Sequence, residues 1–191
     1  MKIYHGSDRS VPKPLALYEY ANAKTDFGIG FYTTQDDRMA KKWACGKVPP
    51  FLNTYEVDLS CLRIKKLKPD KEWLNLVVAN RTADMAMLPF NPDDYDVIIG
   101  PTADDRMFTI LELYLDGLVS AENAIKIMNC LHLSDQIVFK TQQGIDDVVR
   151  FVGAREITGQ EKAMYTQHAE ADRIEGARRT REMLAQINRG R

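Results

Sequence analysis

The chain has 191 residues, 45% of them hydrophobic and 28% charged, with a net charge of −1. A chain of this length buries roughly 70% of its unfolded surface, so it sustains a core of its own. Such values exclude collagen-like, low-complexity and disulfide-scaffold classes, and the near-zero charge argues against a strongly basic nucleic-acid coat. Cys45, Cys61 and Cys130 are scattered and form no CxxC pair, which predicts free thiols and neither a zinc site nor a disulfide framework. No apolar run approaches the roughly 20 residues of a membrane helix. Met1 to Gly6 shows no basic start followed by a long apolar stretch, so the expected setting is cytoplasmic, with no membrane partner.

The opening KIYHGS predicts a strand ending at Gly6. Asp8 to Asp26 is polar, carries Pro12 and Pro14, and reads as loop with a short helical piece from Pro14 to Tyr20. The turn-rich DFGIG leads into FYTT, whose β-formers predict a second strand. Thr34 is placed to cap a helix with Asp36 and Asp37 in its first turn and Met39, Ala40, Trp43 and Ala44 at helical spacing. Gly46 and the pair Pro49–Pro50 stop it. Leu52 to Leu59 alternates as a half-buried strand does, and Leu62 to Leu67 predicts a shorter one. Asp70 caps a helix carrying Trp73, Leu74, Val77 and Val78, which closes at Asn80–Arg81. Tyr95 to Ile99 is a compact apolar strand ending at Gly100–Pro101. One helix then carries Met107, Ile110, Leu111, Tyr114 and Leu115 and closes at Gly117. Another is capped by Ser120 and carries Ala124, Ile125, Met128 and Leu131. QIVFK and the stretch from Val148 to Ile157 read as late strands.

The tail differs from the body. Up to Arg155 there are 19 basic and 21 acidic residues, whereas from Arg173 to Arg191 six arginines stand against Glu175 and Glu182, a local charge of +4. Ala171, Ile174, Leu184 and Ile187 give a loose apolar stripe. That predicts a C-terminal helix packing on the body or on another chain, its basic face either solvated or turned to nucleic acid or a partner. The expected division is a domain over residues 1–155 and a helical extension over residues 156–191.

Walker, Rossmann, HEXXH and nucleophile-elbow patterns are absent. His5, His132 and His168 are far apart, so no metal site is expected. What remains is His5–Gly6 ending the first strand, Gly28 to Tyr32 entering the second, and Trp43 on the next helix. YHGS, followed by GIGFYTT and a helix with an aromatic, resembles the N-terminal half of the ADP-ribosyltransferase fold, in its diphtheria-toxin and poly(ADP-ribose) polymerase branch. DFGIGFYTT, YDVIIGPTADDR and SDQIVFKT together are similar to a bacterial domain family of unassigned function grouped with ADP-ribosyltransferase toxins. The resemblance covers about residues 2–155. It implies an α+β fold in which two small, mostly antiparallel sheets form a split-sheet cleft, with helices around it and a C-terminal helix.

The resemblance also implies roles. The backbone of Gly6 holds the carboxamide of NAD, its missing side chain permitting close approach. His5 hydrogen-bonds a ribose hydroxyl. Tyr32 lies flat against the nicotinamide ring, with Trp43 on the opposite face and Gly30 in the same NAD-binding segment. Ala40 stands where polymerase-like members often carry serine. Arg81 either meets the pyrophosphate or serves as a helix-end cation. The family places a glutamate at the start of a late strand, and SDQIVFKT has none. Matching on IVF selects Asp135, whereas the bacterial pattern selects Gln136, and successive strand residues point to opposite faces. A carboxylate there stabilises positive charge at the anomeric carbon and can act as base. A glutamine hydrogen-bonds the ribose 2′-hydroxyl without ionising. Gln136 is preferred, with mono-ADP-ribosylation and not chain elongation, and Asp104 and Asp105 are then candidates for the base that activates the acceptor. The expected function is transfer of ADP-ribose from NAD to a protein or nucleic-acid acceptor with release of nicotinamide. An intracellular bacterial toxin of a toxin–antitoxin pair, or an anti-phage effector, fits that chemistry by analogy. An NAD glycohydrolase and a non-catalytic NAD- or nucleotide-binding module are the alternatives.

Overall fold

The computed structural model describes residues 1–16, 24–103, 107–129 and 134–189. Thirteen elements follow one another. They are β1 (Lys2–Ser7), β2 (Phe31–Thr34), α1 (Asp37–Cys45), β3 (Phe51–Val57), β4 (Ile64–Lys66), α2 (Lys71–Thr82) and β5 (Val97–Pro101), then α3 (Phe108–Leu115), α4 (Ala121–Asn129), β6 (Asp135–Phe139), α5 (Gln142–Val148), β7 (Val149–Glu156) and α6 (Gly159–Arg189). Two single 3-10 turns, Met85–Met87 and Pro92–Asp94, lie between α2 and β5. The fold is α+β, as expected from the sequence.

The strands form a seven-stranded sheet in the order β4-β5-β6-β2-β1-β3-β7. All neighbours run antiparallel except β4 and β5, so the sheet is open and mixed. The expectation of two separate sheets is corrected here: one hydrogen-bonded order runs through all seven strands. The junction in its middle is thin, however. β1 aligns with β3 at six residue pairs and β2 with β6 at four, but β1 and β2 align only at Tyr4–Thr34. From that pair toward Ser7 and Phe31 the two strands part.

Period-two alternation sorts side chains between the two faces. Tyr32, Ile98 and Val138 face one layer, where Trp73, Leu74, Leu76, Val77, Met107, Ile110, Ile127 and Met128 from α2, α4 and the α3 region make the larger core. Ile3, Phe31, Val97, Ile137 and Phe139 face the other, against Tyr55, Ile145 and Val148. A third, smaller core joins Ala40, Ala44, Leu52, Ile157 and Tyr165 under α1 and α6. Trp73 is fully buried, and its Nε1 donates to the Pro101 carbonyl at 2.8 Å, which removes the cost of its polar edge.

Three local details differ from the sequence expectation. β1 extends to Ser7. The cap of α1 is Asp36, whose carboxylate accepts from the Arg38 and Met39 amides; Thr34 stays in β2 and accepts from the Asp36 amide. Asp wins because its side chain reaches the second and third amides of a helix that begins one residue on. The unpredicted α5 is capped by Thr141. Asp70 caps α2 as expected. The tail is one 31-residue helix, α6. Tyr165 seats its first half, and Met183, Leu184 and Ile187 pack its last turns on the larger core. Three of its arginines are laced to its own glutamates, Arg173 to Glu170, Arg178 to Glu175 and Glu182, and Arg179 to Glu175, while Arg181 donates to the Ala177 carbonyl. Part of the basic run is therefore a charge-laced face on a helix docked to the body. Among the described residues, Cys45 and Cys61 are free, and no helix is long and apolar enough to cross a membrane. Cys130, Leu131, His132 and most of the helical piece expected from Pro14 to Tyr20 lie outside the described residues.

Candidate functional site

Where β1 and β2 part, a cleft of about 1080 Å³ opens through the sheet seam. His5, Gly6, Gly30, Tyr32, Trp43, Arg81 and Gln136 all line it. These seven come from five separate segments, and each is a site residue expected from the sequence. Asp135 does not join them. It sits on the opposite face of β6, in a separate groove with Thr34, Asp36, Asp58 and Lys66. The alternation of β6 thus separates the two candidates for the third position and brings Gln136 to the cleft. Ala40 is fully buried under β1 and is not part of the lining. Asp104 and Asp105 lie outside the described residues.

Gly6 owes its identity to packing. A Cβ there would stand 2.1 Å from the Ala40 carbonyl oxygen and 2.7 Å from the Ala44 nitrogen. Only glycine lets β1 run against the backbone of α1, and that approach brings Trp43 into the cleft wall. Gly30 is similarly constrained, since a Cβ would meet Val138 Cγ1 at 2.6 Å and the Phe139 carbonyl at 2.8 Å.

His5 bridges the parted strands. Its Nδ1 lies 2.7 Å from the Tyr32 carbonyl oxygen, and its ring packs 4.8 Å from that of Phe31. A carbonyl only accepts, so Nδ1 carries the hydrogen. Burial pushes the imidazole below its ordinary range, with the Lys47 charge adding to the effect. The ring is therefore neutral near pH 7, and Nε2 is a lone-pair acceptor.

Tyr32 is anchored at its hydroxyl. The Phe27 amide donates to it at 3.0 Å, and its own proton is shared between Thr25 Oγ1 at 2.8 Å and the Gly28 carbonyl at 2.7 Å. Burial pushes the phenol well up, so it stays a donor. The hydroxyl ties down the loop before β2 and leaves the ring along the cleft. Behind the same loop, Lys140 Nζ donates to the carbonyls of Phe27 and Ile29.

Asp26 is a buried residue of the cleft lining that the sequence expectation missed. It is 6% exposed and sits on the cleft lining. Its Oδ1 accepts from Arg81 Nε at 3.0 Å and Nη2 at 2.6 Å. Its Oδ2 accepts from the Ala103 amide at 2.7 Å and Gln136 Nε2 at 2.8 Å. Burial pushes its carboxyl above the usual range, and Arg81 pulls the other way. Every partner is a donor, so a proton on either oxygen would point at another N–H; the hydrogen-bond pattern requires the carboxylate. Arg81, expected either at a pyrophosphate or as a helix-end cation, lies in the last turn of α2 and bonds Asp26 and the Ala103 carbonyl. In the sequence only the DFG turn marked Asp26, and a turn aspartate is ordinarily exposed.

The remaining wall is the segment from Ser7 to Lys13. Asn53, fully buried on β3, donates to Ser7 Oγ at 2.9 Å and the Arg9 carbonyl at 3.1 Å, and accepts from the Val11 amide at 2.7 Å. The Tyr55 hydroxyl donates to the Val11 carbonyl at 2.7 Å. This wall carries Arg9 and Lys13. Together with Lys24, Lys47 and Arg81 they face two carboxylates, Asp8 and Asp26, each paired with an arginine of the same lining. The excess charge of the described lining is positive. No group of His, Cys, Asp and Glu among the described residues is arranged to hold a metal.

Fold and site define an α+β protein with a mixed seven-stranded sheet and a positively lined cleft at its parted seam. The chain belongs to the family described as a protein of unknown function, DUF3990, whose profile matches residues 1–151. No curated protein and no solved structure matches the chain.

Proposed function

We propose that this chain transfers ADP-ribose from NAD to a macromolecular acceptor and releases nicotinamide, working in a cleft of the ADP-ribosyltransferase kind. One observation carries the reading. His5, Gly6, Tyr32 and Gln136, selected from sequence by resemblance alone, converge on one cleft where the central strands part.

The residues present suit the substrate. Lys13 and Lys47 on the lining bring positive charge suited to a pyrophosphate. Tyr32 and Trp43 offer aromatic surface for nicotinamide, worth about 0.5–1.5 kcal/mol per stacked pair beyond area burial. Neutral His5 presents Nε2 to a ribose hydroxyl. Gln136 Oε1 accepts no hydrogen bond among the described residues. It is the acceptor for the 2′-hydroxyl beside the reacting carbon. In the reaction the bond between the anomeric carbon and the nicotinamide nitrogen breaks, and the nitrogen keeps the electron pair. An acceptor atom then bonds the anomeric carbon and loses its proton to solvent. Positive charge that develops at the anomeric carbon lies near the Asp26 carboxylate, with the Gln136 amide between them.

The experiment is incubation of the full chain with NAD labelled on the adenylate, following nicotinamide release with and without cell lysate. Release with label moving to a lysate component supports the transferase. Release with only free ADP-ribose replaces it with a glycohydrolase. Calorimetric binding without release leaves a binding module, and no binding refutes the assignment of the cleft to NAD.

A further inference from the structure

Resting on the NAD reading above, we propose that Asp26 is a positioning residue that locks the Gln136 amide in one orientation. By doing so it sets Oε1 as the atom this site offers to a ribose hydroxyl. In this arrangement Asp26 and Gln136 share the work of a single glutamate: one carries the charge, the other makes the contact.

The orientation follows from the partners. One edge of the Gln136 amide faces both Asp26 Oδ2 at 2.8 Å and the Pro101 carbonyl at 3.3 Å. Both are acceptors, so that edge is the NH2, and Oε1 faces away from them. A flipped amide would turn Oε1 onto both of these acceptors, and cleft water at the opposite edge does not relieve that repulsion. Asp26 is held just as firmly. Arg81 and the Ala103 amide fill the rest of its acceptor capacity, and Asn80 Nδ2 donates to its backbone carbonyl at 3.3 Å and to the Leu76 carbonyl at 2.9 Å. Gly28, with φ +72°, leaves the space that Asn80 needs; a Cβ there would stand 2.6 Å from Asn80 Oδ1. The clamp thus ties the loop before β2, the end of α2, the end of β5 and the start of β6 to one carboxylate.

The carboxylate also changes the amide. A hydrogen bond from Nε2 to an anion draws electron density toward Oε1 and makes it a stronger acceptor than a solvated glutamine. Asp26 itself cannot accept the substrate's proton, because both of its oxygens are occupied by donors. It acts through Gln136.

The test uses the full chain and three variants, Asp26→Asn, Gln136→Glu and the double variant, with kcat and KM for nicotinamide release. Asp26→Asn keeps its remaining oxygen on the Arg81 cation and so sets its NH2 against both the Ala103 N–H and the Gln136 NH2, the two donors that share Oδ2. The expected result is a loss in kcat of about 100-fold from misplacement of Oε1, with KM for NAD within about 3-fold. Gln136→Glu puts two carboxylates at hydrogen-bond distance and is also expected to lose activity. The double variant restores a donor facing an acceptor and is expected to recover at least about tenfold over either single variant. Wild-type kcat in a folded Asp26→Asn variant overturns the proposal, as does a double variant no better than the singles. A second measurement needs neither NAD nor a folded variant. In the wild-type chain the side-chain amide protons of Gln136 should exchange with solvent far more slowly than those of an exposed glutamine, and exchange at the exposed rate overturns the proposal. Failure to bind or cleave NAD at all removes the reading of the cleft, while the exchange measurement still decides the Asp26–Gln136 pair.

Discussion

Replacing Gly6 by alanine is the sharpest test of how the cleft is built. The added carbon would stand 2.1 Å from the Ala40 carbonyl oxygen, 2.7 Å from the Ala44 nitrogen and 3.1 Å from Trp43 Cβ. Ordinary carbon contacts lie near 3.5 Å, so β1 and α1 must separate by roughly 1 Å or more. The obstacle is backbone, and no rotamer change relieves it. Overpacking of this kind costs typically 1–3 kcal/mol, and a rigid helix backbone puts Gly6→Ala near the top, at about 3 kcal/mol. For a chain of this size that lowers the melting temperature by about 6–12 °C. Thermal unfolding followed by circular dichroism measures it, with Gly153→Ala as control, because nothing lies within 4 Å of a Cβ at Gly153. Adding Ala40→Gly to Gly6→Ala should not rescue it, since the clash is with the carbonyl of residue 40 and not its methyl group. A Gly6→Ala protein melting within a degree of wild type would refute the packing of β1 on α1 and with it the placement of Trp43.

Three further predictions concern the site itself. Tyr32→Phe keeps the ring and leaves the Phe27 amide without its 3.0 Å partner; a loss of about 1–3 kcal/mol, or about 2–12 °C in melting temperature, is expected, with nicotinamide release retained within tenfold. Because burial holds His5 below the ordinary 6.5, the neutral ring persists on acidification, and the acid limb of NAD turnover should fall below pH 6.5. The unfolded chain takes up that proton first, so stability should drop as pH falls from 6.5 through the folded-state value; pH-dependent melts of wild type against His5→Gln isolate the contribution. Gln136→Ala should abolish turnover, whereas Asp135→Asn, on the far face of β6, should leave it within about twofold in the same assay; the reverse outcome would return the third position to Asp135.

Much of the fold was legible because the responsible forces are local. Asp70 before an apolar helical repeat, alternation through Tyr55 and Val57, and the glycine and prolines after Ala44 specify elements without knowledge of their neighbours. α5 escaped because its sequence, QQGIDDV, carries a glycine that looks like a break. Gly144 is there for tertiary reasons: a Cβ would stand 2.9 Å from Thr141 Oγ1 and 3.3 Å from Asp96 Cβ. Asp26 escaped for the same kind of reason. Its partners Arg81, Ala103 and Gln136 are 55, 77 and 110 residues away, and no local pattern marks an aspartate that three distant segments enclose. The sequence alone suggests clearance for a ligand at Gly6, and the structure shows clearance for a helix. Continuity of the sheet was also out of reach, because the single pair Tyr4–Thr34 decides it.

That single pair links architecture to chemistry. A fully laddered β1–β2 edge would fill its own amides and carbonyls and leave no opening between the strands. Once the strands part, those backbone groups need other partners, and the Tyr32 carbonyl takes the His5 ring at 2.7 Å. The same contact that compensates the open seam fixes the tautomer that leaves Nε2 as an acceptor. Around the opening, Asn53 and Tyr55 fasten one wall, the Tyr32 hydroxyl and Lys140 fasten the second, and Asp26 fastens the floor. Each of these anchors is an internal hydrogen bond made before any ligand arrives. The ordering of the cleft is therefore met by folding and not by binding, which is the condition for a site whose groups act by position.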